Sequence, residues 1–144
     1  MDLTLQVTNT IKLEDIRSLM CIGWEGGMTT WCLRIEENSC PTGFSPKDFK
    51  PGGSVRSQNK DWGWSYLYPT MTGGSIRCLV DEEDSGIYER AVPYILDLEK
   101  IKTALKLMSE KSPKHWADFI SDNSDAITGD VFLQYALFGE IIYG

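Results

Sequence analysis

A chain of 144 residues, 42% apolar and with a formal charge of −7, is the size of one ordinary domain and carries enough apolar side chain for one core. The acidity excludes a nucleic-acid backbone as the main partner, because phosphate contacts need a basic surface. No apolar run approaches the ~18 residues of a membrane span, and MDLTLQVTNT has no apolar signal core, so the expected setting is cytoplasmic, with no membrane partner.

The N-terminal LTLQV at 3–7 alternates apolar and polar residues and predicts a strand. Leu13, Ile16, Leu19 and Met20 recur at helical spacing, so 12–24 predicts an amphipathic helix that Gly26-Gly27 stops. Thr30–Ile35 is rich in strand formers. Residues 36–74 form an irregular segment with four prolines and six glycines, and long loops of this kind tend to be functional. Short strands are expected in it at Val55–Gln58 and Trp64–Tyr68. Residues 75–81 and Ile87–Leu96 predict two strands of a hairpin around the solvated turn Asp81–Gly86.

Asp97 is placed to cap a helix over 98–110, with Leu98, Ile101, Leu105 and Met108 as its apolar stripe. Ser112-Pro113 ends that helix and opens the next, which buries Trp116, Phe119 and Ile120. Thr128 is the expected cap of a last helix over 129–138, stopped by Gly139, and Glu140–Tyr143 predicts a terminal strand. These elements predict one α+β domain spanning 1–144, a mostly antiparallel sheet with helices packed on one face.

No catalytic or cofactor set stands out. His115 is the single histidine, and its neighbours read as an ordinary helix face rather than a nucleophile's base. Cys21, Cys32, Cys40 and Cys78 lack metal-ligand spacing and read as reduced, packed thiols. Glu25 is a lone carboxylate. Asp122–Asp125 lacks the glycine and distal glutamate of a calcium loop and reads as a capped connection. The double glycines at 26–27, 52–53 and 73–74 form no nucleotide fingerprint. No cofactor and no metal are therefore expected.

The richest stretch is Ser54–Tyr68, SVRSQNKDWGWSYLY. Arg56 and Lys60 are interleaved with Trp62, Trp64, Tyr66 and Tyr68. On a strand all four aromatics share one face. That face is either buried in the core or a surface that stacks a ligand's rings, with arginine gripping phosphate. Arg77 and Arg90 are further cations for the same region.

Two segments carry a resemblance. EGGMTTW at 25–31 and DVFLQYALFGEIIYG at 130–144 resemble the E-G-G-x-x-x-W segment and the C-terminal Q-Y-A-L-F-G-E signature of a family of small accessory proteins of tailed bacteriophages and prophages. The resemblance implies a non-enzymatic counter-defence protein acting in the host cytoplasm. Its leading form sequesters a nucleotide-type immune signal as a homo-oligomer. The alternative form is an acidic inhibitor that binds a bacterial CRISPR or restriction effector directly. If the matching Glu25, Gly26, Gly27, Trp31, Gln134 and Tyr135 meet in space, they wall a base pocket next to Trp24, with Arg56 or Arg77 for phosphate and Trp62, Trp64 and Tyr66 for stacking. Burial of these residues in one core, or their dispersal, removes that pocket.

Overall fold

The axis of the fold is helix α5, Ala126–Phe138. Thr128 through Leu137 are all buried, as expected of a helix that is apolar on every side. The structure, a computed structural model, describes residues 1–6, 8–26, 29–45 and 64–144, the Trp64 side chain excepted. Asp125, not Thr128, caps α5: its carboxylate accepts from the Thr128 backbone N–H at 2.9 Å. Thr128 lies inside the first turn, and its hydroxyl accepts from the Asp125 N–H, which completes a capping box. Gly139 ends the helix at φ +74°, the left-handed cap that glycine adopts without strain.

Helix α1, Leu13–Glu25, crosses α5 at two glycines. A Cβ on Gly129 would lie 2.6 Å from the Gly23 nitrogen, so the two backbones touch where neither residue has a side chain. Gly26 repeats the device one turn on, where a Cβ would collide with that of Ala126. Its backbone is ordinary right-handed helix, with φ −73°. Gly26 therefore serves a close helix approach rather than a left-handed stop.

Strands β1 (Cys32–Ser39), β2 (Ser75–Val80) and β3 (Val92–Asp97) form one antiparallel sheet in that order. Ile76, Cys78, Val80 and Leu96 point from one face into a single core with Leu19, Met20, Ile101, Met108, Phe132 and Leu133. Asp97 ends β3 and caps α3, Leu98–Lys111, by accepting from the Lys100 N–H at 3.0 Å. Pro113 opens α4, Pro113–Ile120. The sheet with helices on its inner face is the expected α+β arrangement.

Further local expectations fail. Ile120, expected on the buried face of α4, is 48% exposed. Residues 3–6 form no strand, and Leu3 and Leu5 are 84% and 72% exposed; alternation without a partner strand is not enough. Trp64–Leu67 is a short helix, α2, that runs into a 3₁₀ turn at Tyr68–Thr70. Pro69 suits the start of such a turn, and helical geometry sends Tyr66 and Tyr68 in different directions. Ile87 and Tyr88–Arg90 lie in a connection with its own 3₁₀ turn, so the strand starts only at Val92. The residues after Gly139 form no strand, because a side chain of α5 holds them instead. Val55–Gln58 lies outside the described residues.

Candidate functional site

Of the residues that carry the resemblance, Trp31, Asp130, Gln134 and Tyr143 meet, but as core. Trp31 is 4% exposed, and its Nε1–H donates to Asp130 Oδ1 at 2.6 Å. Gln134 Nε2 donates to Asp130 Oδ2 at 3.0 Å and to the Tyr143 carbonyl at 2.9 Å. Gln134 Oε1 accepts from the Ile142 and Tyr143 N–H groups, both at 2.8 Å. The chain thus fills both ends of a fully buried amide and pins its own terminal segment with them. Tyr143 stacks on Trp31 at 5.8 Å, and Phe138 meets both rings edge-on. Burial raises the Asp130 pKa, while the bonds from Trp31 and Gln134 oppose the rise.

Tyr135 looks the other way, its hydroxyl 2.6 Å from Ser112 Oγ. With Trp31 and Gln134 packed inside and Tyr135 aimed at another helix, these three leave no opening between them for a base. Gly26 packs on Ala126, and Gly27 lies outside the described residues. So do Arg56, Trp62 and the Trp64 side chain. Arg77 sits in mid-β2 on the outer face, in register with Glu36 and Ile95. His115 Nδ1 lies 3.2 Å from Thr128 Oγ1, against the cap of α5.

Tyr66 is different. It lines an open groove of about 470 Å³ between α1 and α2, together with Glu14, Arg17, Ser18, Cys21 and Ile22. Arg17 is oriented by its Nε–H, which donates to Thr70 Oγ1 at 2.9 Å, and Thr70 in turn donates to the Leu67 carbonyl at 2.8 Å. No ion pair among the described residues uses the Arg17 guanidinium. One turn on, the Cys21 thiol donates to Glu25 Oε2 at 3.5 Å. Burial, followed by the adjacent Glu25 carboxylate, pushes the Cys21 pKa up to about 11. Cys21 is therefore a protonated donor near neutral pH, not a nucleophile.

Three buried side-chain atoms among the described residues lack a hydrogen-bond partner: Trp24 Nε1, Glu25 Oε1 and Arg77 Nε. Two of them belong to the last turn of α1, the helix that borders the groove. Such orphans are uncommon in folded proteins and tend to have a use.

A second cleft, about 570 Å³, lies between the Met71–Ser75 turn and the start of α3. It is larger, but its polar side chains hold one another. Asn38 donates to Ser75, Ser39 donates to the Gly73 carbonyl, and Lys102 pairs with Glu99. The α1 groove offers a cation and an aromatic ring with fewer internal ties.

The chain matches no protein-family model, no curated protein and no solved structure. No helix among the described residues is long and apolar enough to cross a membrane. No group of three His, Cys, Asp or Glu side chains gathers as a metal site among the described residues.

Arg17 is the groove residue that the sequence reading missed. It falls on the polar side of an amphipathic helix, where a charged residue is ordinary. The available signal was its spacing from Cys21 and Glu25, which places all three on one helical face.

Proposed function

We propose that the protein is a non-enzymatic binder of a nucleotide-type signal, held in the α1–α2 groove, and that it acts in phage counter-defence by sequestering that signal. The observation that carries the binding reading is the meeting of Arg17 and Tyr66 across apolar walls. A nucleotide needs these two chemistries, a ring to pack on its base and a guanidinium to grip its phosphate. The resemblance of the two terminal segments supports the phage setting.

The acidic-inhibitor alternative draws on Glu82, Glu83 and Asp84 of the 81–91 connection and on Glu36, whose carboxylate accepts from the Tyr88 hydroxyl of that connection at 3.4 Å. Arg34 over the Tyr88 ring and Arg90 beside Glu83 interleave positive charge there, and that dilutes any imitation of nucleic acid.

The test is a thermal-shift screen against cyclic di- and trinucleotides and ADP-ribose derivatives, on wild type, Arg17→Ala and Tyr66→Ala. A ligand at one hundred times its Kd adds about 2.7 kcal/mol of stability. Both variants should lose most of that gain, and heating should release the ligand intact. A shift that persists in both variants, or no shift with any nucleotide, rejects the site.

A further inference from the structure

Two free cysteines share the inner face of the sheet. Cys32, at the start of β1, is in register with Val80, and Cys78 of β2 is in register with Ile35. Residues in register across an antiparallel pair project to the same side. Cys32 therefore joins Cys78 and Val80 on the side that faces the core. The register slips between Cys32 and Arg34, so Leu33 is the extra residue of a bulge, which bends the strand there. The two thiols meet, with the Cys78 S–H donating to the Cys32 sulfur. Cys32 Sγ also reaches the Arg34 carbonyl at 3.5 Å, at an exposed position. The pair is unequal. Cys78 is fully buried, and burial, followed by the bond to Cys32, raises its pKa. Cys32 is only half-buried, and the bond from Cys78 lowers its pKa against the effect of burial.

We infer that Cys32 and Cys78 form a peroxide-sensitive dithiol, in which Cys32 is the thiol oxidised and Cys78 the thiol that resolves it. Cysteines that sense peroxide reach solvent, ionise readily and stand next to a resolving thiol. Cys32 has the first two properties, and Cys78 supplies the third. The Cys32 thiolate attacks one oxygen of hydrogen peroxide, the O–O bond breaks, hydroxide leaves, and the sulfur becomes a sulfenic acid. The Cys78 sulfur then displaces that hydroxyl. Its proton and the hydroxyl leave as water, and the S–S bond forms. Two electrons pass from the two sulfurs to one peroxide, and a dithiol reductant returns them by exchange. Cys21 and Cys40 are placed differently, since Cys21 contacts Glu25 and Cys40 contacts Tyr68. The new bond closes the chain between β1 and β2 into a covalent loop that includes α2 and Tyr66.

The test treats the reduced, folded full chain with hydrogen peroxide and maps its peptides by mass spectrometry without reductant. Wild type should lose two hydrogens, yield a linked Cys32–Cys78 peptide pair, and return to the dithiol with dithiothreitol. Cys21 and Cys40 should still alkylate once the oxidised chain is unfolded. Cys32→Ser should form no link and leave Cys78 a thiol at the dose that links wild type. Cys78→Ser should hold Cys32 as a sulfenic acid, which dimedone captures in larger amount than in wild type. The wild-type map needs no variant, so it stands even where Cys78→Ser harms the core. A link between any other pair overturns the assignment. So does Cys32 carried on to the sulfinic acid while Cys78 stays a thiol, and so do four intact thiols at a dose that oxidises free cysteine in the same solution.

Discussion

The Trp31 indole donates its N–H to the Asp130 carboxylate at 2.6 Å, across 99 residues of chain. The bond ties the start of β1 to the middle of α5 inside the core, where a charge-assisted hydrogen bond is strong and its loss is costly. Trp31→Phe keeps a ring beside Phe138 and Tyr143 but leaves Asp130 Oδ1 without its donor. Urea unfolding should show a loss of about 1–3 kcal/mol, the cost of an unmet buried acceptor. Unchanged stability would mean that the bond does not form in solution.

Gln134 should control the terminal segment independently of the rest. Gln134→Leu keeps roughly the same volume and removes the acceptor that the Ile142 and Tyr143 N–H groups share. Those two amides should then exchange with deuterium at rates close to the unfolded chain, while the amides of β2 stay protected. Protection retained at both positions would assign the pinning of this segment to the stacking of Tyr143 on Trp31.

Two glycines in α5 and at its end should respond to alanine for opposite reasons. At Gly129 a Cβ meets the Gly23 backbone at 2.6 Å, and backbone cannot rotate away. Gly129→Ala should cost about 1–3 kcal/mol from overpacking, even after the gain in helix propensity. At Gly139 a Cβ meets nothing within 4 Å, and only the positive φ matters. Gly139→Ala should cost about 1–2 kcal/mol through backbone strain alone. Mutating Gly23 as well should deepen the first loss and leave the second unchanged, which unfolding of the two double variants would show.

Asp125 gives the fold an acid-sensitive contact. Its backbone and side-chain bonds from Thr128 hold the carboxyl below its ordinary 3.8. A carboxyl lowered in the folded state stabilises the fold above the unfolded-state pKa, and that stability is lost as pH falls through the folded one. Asp125→Ala should therefore cost about 1 kcal/mol at pH 7, the usual worth of an N-cap. The gap between variant and wild type should close as the pH drops below about 4. A gap that stays constant down to pH 2 would mean that the carboxylate charge contributes nothing to the cap.

Much of this fold was legible because it is local. The stripe of Leu98, Ile101 and Met108, the Asp97 cap, Pro113 at a helix start and Gly139 at a helix end follow from short-range patterns, and each stands where spacing placed it. The 64–68 aromatics did not, since a period of two over so short a run fits a strand equally well, and the Pro69 turn and burial of Tyr68 decided for a helix. The role of Gln134 depends on a chain reversal after Gly139 that has no periodic signal. The groove was half legible: Tyr66 belongs to it, but Arg17 is unremarkable on α1 until α2 folds back beside it.

Cys21 offers a check on the floor of that groove that needs no ligand. Its thiol is half-buried, and its pKa is raised from 9.0 to about 11 by burial and by Glu25. Alkylation proceeds through the thiolate, and two units of pKa leave about a hundredfold less thiolate at pH 8. Iodoacetamide should therefore modify Cys21 far more slowly than its exposure suggests, as followed by mass spectrometry of its peptide. Glu25→Gln removes the neighbouring charge but keeps an amide oxygen that can accept the S–H, so the rate should rise several-fold, with burial accounting for what slowing remains. If wild type and Glu25→Gln react at the same rate, the Glu25 charge does not act on the Cys21 thiol in solution, and burial alone raises its pKa.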